Sequence, residues 1–316
     1  MFKIKLIIVS ALIIIMQCSA VYSISIENKK IAIIAPAKHQ AIDDIIQGVK
    51  NELKDVYNSE QIVVFNGMGD HNNLYAIINQ VANNDVYSFL MPIGATASQL
   101  AIQHTKTKPI ISLAYTVEEN IYKQMIRDEH TNVSFIKDEM PIHKMLSLIK
   151  ALKRKKILLV YSNDERMQRA VLEIEEFVNL YGITLRKFCI TQPNDIYTIN
   201  NIINDAEAIL ILKDHIVISV LGVIIMAAHS HFIPVIASDE GSIKNGADIA
   251  LGINEMDIGI AGGKVLKQLM NGQTTKSINE ITDYKIFFNK NPENPLSLND
   301  LQNLTSTLQY KIEIIK

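Results

Sequence analysis

The chain has 316 residues, 48% of them apolar, and a formal net charge of -2. That length allows one large α/β unit or two lobes of roughly 120 to 150 residues each. The charge gives no basic field of the kind that neutralises phosphate backbones, which excludes nucleic acid as a partner.

The amino terminus reads as a secretory signal over residues 1–23. Lys3 and Lys5 form a positive start, Leu6 to Met16 is an apolar run interrupted only by Ser10, and the small residues Ser19, Ala20 and Ser23 follow. Cleavage fits after Ala20 or Ser23, and Ser23 is preferred because it leaves Val21 and Ser23 at the positions a signal peptidase inspects. A lipoprotein signal acylated at Cys18 is the competing reading, but Gln17 stands where a small residue is expected. The apolar run is shorter than the roughly 20 residues a membrane span needs. After cleavage only Cys189 remains, so no intrachain disulfide can form. Export without a disulfide points to the periplasm or cell envelope.

In the mature chain, apolar runs of strand length alternate with helical spacing. Lys30 to Ala37 reads as a strand buried on both faces, and Ala41, Ile42, Ile45, Ile46, Val49 and Leu53 recur at helical spacing from His39 to Asp55. Strands over 61–65, 88–93 and 109–115 alternate with helices over 72–83 and 95–105, the rhythm of a parallel sheet covered on both faces. Residues 116–139 are less regular and read as a passage between lobes. The rhythm restarts with a helix over 141–152, then strands over 157–161, 183–189, 208–212 and 232–237 and helices over 164–181, 197–205 and 215–230. The basic turn Lys153 to Lys156 reads as a solvated loop rather than a lipid or phosphate patch. A helix over 256–270 and a strand over 284–288 follow, then a polar tail with some order over 298–308.

Enzyme and cofactor readings fail on their motifs. The first strand-to-helix turn, Pro36-Ala37-Lys38-His39, has no glycine, so the dinucleotide fingerprint is missing. Gly67-Met68-Gly69-Asp70 lacks the Lys-Ser/Thr pair of a phosphate loop and reads as a turn, and no Gly-x-Ser-x-Gly elbow occurs. A metal site at His215, His229 and His231 is disfavoured, because His215 and His229 lie about 20 Å apart on a straight helix. No cofactor and no catalytic residue is assigned.

Strand ends and helix starts suit binding better. Gly94-Ala95-Thr96 opens a helix after an apolar strand, where free N–H groups welcome a carboxylate. Asp214 and Asp239 end two later strands, where they are read as holding an ammonium group or, for Asp214 equally, as capping a helix. Tyr115 and Tyr161 end one strand in each half and offer faces for a flat or apolar ligand. His39, Thr116 and Asn163, just beyond strand ends, complete the candidate contacts.

From Lys30 to Asn289 the chain resembles the substrate-binding proteins of ABC transporters, in the family that includes the tryptophan and tyrosine binders. His39-Gln40-Ala41-Ile42-Asp43 is similar to that family's opening His-Pro-Ala-Leu-Asp. Gly48 with Leu53, Gly69-Asp70, Gly94 with Ala97 and Gln99, Pro109-Ile110 and Asn132-Val133 fall in order after it. Asp214 and then Ser238-Asp239-Glu240-Gly241-Ser242-Ile243-Lys244-Asn245-Gly246-Ala247 is the most specific match. The chain departs at Ala95, where Thr is usual, at Tyr115-Thr116-Val117-Glu118, at Ser134-Phe135 and at His215.

The resemblance implies a type I periplasmic-binding fold, α/β, with two doubly wound parallel-sheet lobes joined by three crossings. Lobe I takes residues 24–138 plus about 248–280, and lobe II takes 139–247 plus about 281–316. It also implies a solute, an aromatic or other apolar amino acid being the best single guess, held between lobes whose closure brings Thr96 and Tyr115 toward Asp214 and Asp239. A monomer handing that solute to a membrane permease, with no bond made or broken, completes the expectation. An exported enzyme or a tethered sensor on the same scaffold remains the alternative.

Overall fold

The structure, a computed structural model, describes residues 29–115, 132–273 and 278–315, with the backbone alone at Leu298. The chain divides into two compact units, one of residues up to 137 together with 255–280, the other of residues 138–254 together with those from 281 onward.

The first unit opens with β1 (Lys30–Ala35), in which Ile31 to Ala35 are all buried because helices cover both faces of its sheet. The helix α1 (Gln40–Leu53) turns Ile45, Ile46, Val49 and Leu53 inward. There follow β2 (Ile62–Asn66), α2 (His71–Ala82), β3 (Tyr87–Pro92), α3 (Ala95–His104), β4 (Ile110–Leu113) and β5 (Val133–Ile136). The second unit begins with α4 (Ile142–Ala151), β6 (Lys156–Ser162), α5 (Glu165–Phe177), β7 (Thr184–Ile190) and β8 (Ala208–Ile211). It continues through α6 (His215–Ser219), α7 (Leu221–Ser230), β9 (Val235–Ala237), α8 (Glu240–Lys244) and β10 (Ile249–Gly252). The chain then returns to the first unit as α9 (Glu255–Met270) and β11 (Ile278–Asn279), and finishes in the second as β12 (Lys285–Asn289), α10 (Leu298–Thr307) and β13 (Lys311–Ile315).

The first sheet, in the order β11-β5-β4-β3-β1-β2, is parallel throughout. The second has the order β13-β12-β10-β9-β8-β6-β7, parallel except that β12 runs antiparallel to β10, with β13 alongside it. Strand residues of the second sheet alternate between two cores. Ile157, Leu159 and Tyr161 of β6 face one, with Leu146, Ile149 and Ile174, and Leu158 and Val160 face the other, with Val217 and Ile224.

On one side of the first sheet α1 and α9 approach until their backbones touch. A Cβ at Gly259 would overlap the carbonyl oxygen of Ile45 and lie 2.7 Å from the Val49 nitrogen, and one at Gly48 would overlap the carbonyl oxygen of Met256. Lys267 Nζ to Glu52 Oε1, at 2.9 Å, closes the same contact.

Several elements differ from the sequence expectation. The sequence places residues 248–252 in the first lobe, whereas β10 pairs in the second sheet, Ile249 with Ile236 and Phe288. The strand expected from Phe232 begins only at Val235, because Phe232 has φ 56° and turns the chain. The helix over 215–230 breaks at Val220, and the helix expected over 197–205 is a 3-10 segment, Pro193–Asn201, started by a capping box of Gln192 and Asp195. The helix over 164–181 ends at Phe177 and tightens into a 3-10 turn, Val178–Tyr181, which Gly182 stops at φ 67°. The strands β5, β10, β11 and β13 have no counterpart in the sequence reading.

Candidate functional site

In the first unit, Gly94 leaves β3 at φ 81° and ψ 172° and starts α3 with no side-chain cap. Its N–H donates to the Leu113 carbonyl oxygen at 2.8 Å, so the ends of β3 and β4 are tied together. The first N–H groups of a helix have no intrahelical acceptor, and at α3 Ala95 and Thr96 are exposed above them. Ser98, one turn on, is turned inward: its hydroxyl donates to the Gly94 carbonyl oxygen and accepts from Ser112, both at 2.7 Å. Positive helix-dipole potential and free donors therefore face solvent at the carboxyl edge of this sheet.

Tyr115 lies at the same edge but is 6% exposed. Its ring meets Phe135 edge-on at 5.7 Å, and its hydroxyl accepts from Gln99 Nε2 at 3.1 Å, which ties it to α3. Ala114, just before it, has φ 52°, a left-handed conformation that costs a non-glycine residue about 1 to 3 kcal/mol and clusters at functional edges. His39, beyond β1, is exposed and caps α1, its Nδ1 accepting from the Ala41 N–H at 3.2 Å. Thr116 lies outside the described residues.

In the second unit, Asp214 follows β8 and is 3% exposed. Its Oδ1 accepts from Ile216 and Val217 N–H at 3.0 and 3.3 Å, capping α6, and its Oδ2 accepts from Ser162 N–H at 2.6 Å, which pins the end of β6. Asp239, beyond β9, caps α8 by accepting from Ser242 N–H at 2.9 Å and Ser242 Oγ at 2.7 Å. Of the two roles the sequence leaves open for Asp214, the structure fills the cap. Ser238, which the sequence reading passes over as a contact, is 7% exposed with a buried hydroxyl that has no hydrogen-bond partner. No sequence signal separates it from any other serine after a strand.

A Cβ at Gly252 would lie 2.9 Å from the Ser238 carbonyl oxygen and 3.3 Å from the Asp239 Cα, so that glycine lets β10 approach the loop. Asn163 is exposed and accepts from Gln168 Nε2 at 3.2 Å. Tyr161 is buried in the core beside α5, where burial pushes its phenol pKa up and neighbouring Cys189 adds to the rise. Within each unit, then, the candidates gather at one edge: Gly94, Ala95, Thr96 and Tyr115 in the first, Tyr161, Asn163, Asp214 and Asp239 in the second. Among the described residues no group of three or more His, Cys, Asp or Glu side chains is placed to hold a metal ion.

In both α/β sheets these candidate residues fall at or just beyond carboxyl strand ends, where open sheets of this kind hold ligands. A family model described as ABC transporter substrate binding protein matches residues 30–303. The chain belongs to this family. Its members are substrate-binding proteins rather than enzymes. An uncharacterized protein of Rickettsia prowazekii is 33% identical over 267 residues, 83% of this chain and 84% of that one. A tyrosine-binding protein of Clostridioides difficile is 26% identical over 293 residues, 89% of this chain and 83% of that one.

Among solved structures, an ABC domain from Streptococcus pneumoniae in complex with L-Trp superposes with a TM-score of 0.68 at 24% identity, covering 92% of this chain and all of that one. A ligand-free, open substrate-binding protein with adhesive properties from Clostridium difficile superposes with a TM-score of 0.73 at 22% identity, covering 91% of this chain and all of that one. Sugar-transporter subunits share the architecture at 12 to 15% identity. The fold of this ABC substrate-binding protein is thus of the type I periplasmic-binding kind.

Proposed function

We propose that the protein is the exported solute receptor of an ABC importer and that its solute is an aromatic or other apolar amino acid. The uncapped start of α3 carries the reading: in a substrate-binding family, a helix whose first donors face solvent at the carboxyl edge is suited to a free carboxylate. The relatives lend chemistry to the same choice, since one is named for tyrosine and one was crystallised with L-Trp. Asp214 and Asp239 enter chiefly as caps that fix the loops, while Thr96 and Asn163 present side chains to solvent.

Export rests on residues 1–23, with a permease in the membrane as the partner and the periplasm or cell envelope as the location. No helix among the described residues is long and apolar enough to cross a membrane. The protein works as a monomer in this reading, which sedimentation with and without solute would test.

The solute is tested by heating the purified protein with a panel of amino acids and nucleosides. A ligand at about 100 times its Kd adds about 2.7 kcal/mol, a rise of about 4 °C for a chain of this length. A rise with tyrosine, tryptophan, phenylalanine or an aliphatic amino acid is expected. No rise with any amino acid would remove the solute assignment.

A further inference from the structure

The turn from α4 into β6 concentrates five cations in seven residues: Lys150, Lys153, Arg154, Lys155 and Lys156. The four lysines are exposed. Among the described residues none of the five makes a side-chain ion pair. The nearby carboxylate, Glu207, is engaged instead with backbone, its Oε2 accepting from the N–H groups of Lys155 at 2.6 Å and Lys156 at 3.4 Å. Those backbone donors hold its pKa below the usual range, so it stays ionised and offsets one of the five charges.

Within this turn Lys153 is held at φ 57°, and the Nε of half-buried Arg154 is shielded from solvent with no acceptor. A helix carboxyl terminus attracts a cation in its own last turn, which accounts for Lys150 but not for the four that follow. A buried guanidinium donor without a partner, inside a cluster of unpaired lysines, is a site short of an anion.

We propose that residues 150–156 form a docking surface for the anionic headgroups of a phospholipid bilayer. The placement in the second unit suits this. The turn sits where β6 begins, beside the starts of β7 at Thr184 and β8 at Ala208, and Asp214 and Asp239 lie at the opposite end of the same sheet. A bilayer held there leaves the carboxyl edge of that sheet uncovered. From the proposed function this takes only the location beside a membrane.

The test is co-sedimentation of the full chain with vesicles of phosphatidylcholine or of phosphatidylglycerol. A cation near an anionic surface changes partitioning by about fivefold, so the expected result is strong binding to phosphatidylglycerol alone, weakening as salt shortens the screening length. The variant K150Q/K153Q/K155Q/K156Q changes only exposed side chains and is expected to lose phosphatidylglycerol binding by well over tenfold while keeping its melting temperature. Equal binding to both lipids, or an unchanged variant, overturns the proposal. Displacement from vesicles by inorganic phosphate at constant ionic strength also overturns it, in favour of a free-phosphate site. The amino-acid melting shift is read separately on the same variant, and its loss or absence bears on the solute and leaves the vesicle result intact.

Discussion

Asp214 shows how one residue type supports two sequence readings. An aspartate between a strand and a helix fits a ligand ammonium as well as a cap, and only the positions of three N–H groups decide between them. Replacing it with alanine removes the α6 cap and strands the buried Ser162 donor, so a loss of about 2 to 4 kcal/mol is expected in urea unfolding at neutral pH. A variant within 0.5 kcal/mol of the parent would mean that the cap is not a stabilising feature.

Asp195 carries the acid limit of its own loop. Backbone and side-chain donors of Thr191, then the Gln192 N–H, pull its pKa down to about 2 from an ordinary 3.8. The folded value lies below the unfolded one, so the contribution to stability is present above the unfolded pKa and is lost as pH falls through about 2. A carboxyl-carbon NMR titration should place its midpoint near 2, and D195N should flatten the fall of stability between about pH 4 and 2. The capping-box pairing of Gln192 with Asp195 is legible in sequence only once the helix start is known, and Tyr197 drew that start too late.

At the scale of elements, glycines mislead when read as punctuation. Gly259, Gly262 and Gly263 lie inside α9, where they allow its backbone to meet α1 and its neighbours. Gly259→Ala forces a methyl onto the Ile45 carbonyl and should cost about 3 kcal/mol or more, read as a lower urea midpoint. Gly222, exposed in α7 with open space around it, gives the control: Gly222→Ala should be neutral or stabilise by about 0.5 kcal/mol. Two similar gains would show that helix propensity, rather than backbone contact, decides the outcome.

The long buried strands were legible because both faces are covered and their apolar runs are uninterrupted. The four-residue β5 and the edge strand β13 were not, since Val133-Ser134-Phe135-Ile136 is too short to establish a period and Lys311 to Ile315 owes its order to pairing with β12. Gly94 was legible as a helix start, but the left-handed Ala114 and the unpartnered Ser238 were not, because neither residue type announces its backbone or its missing partner.

At the scale of the whole molecule, the chain passes between its two units at 137–138, 254–255 and 280–281, so neither unit is a continuous stretch. Motif order along the chain reveals the family, but sequence adjacency cannot say which sheet a strand joins, and the sequence expectation for 248–252 therefore falls in the other half from the one β10 joins. This discontinuity makes the two units respond differently to loss of the carboxyl end. A chain stopped after Glu280 keeps every residue of the first unit, including α9 against α1 and the edge pairing of β11 with β5. The second unit loses β12, β13 and α10, and with them Ile286, Phe287, Leu296 and Leu304, all buried in its two cores. Burying a side chain of that size is worth about 1.5 to 3 kcal/mol, so four such losses exceed much of the 5 to 15 kcal/mol that holds a typical domain together. Hydrogen exchange on the truncated chain should keep slow amides in β1, β3 and β4 and show fast exchange throughout β6, β8 and β9. Equal loss of protection in both sheets would mean that the first unit has no independent stability, and the two would have to be treated as one cooperative body.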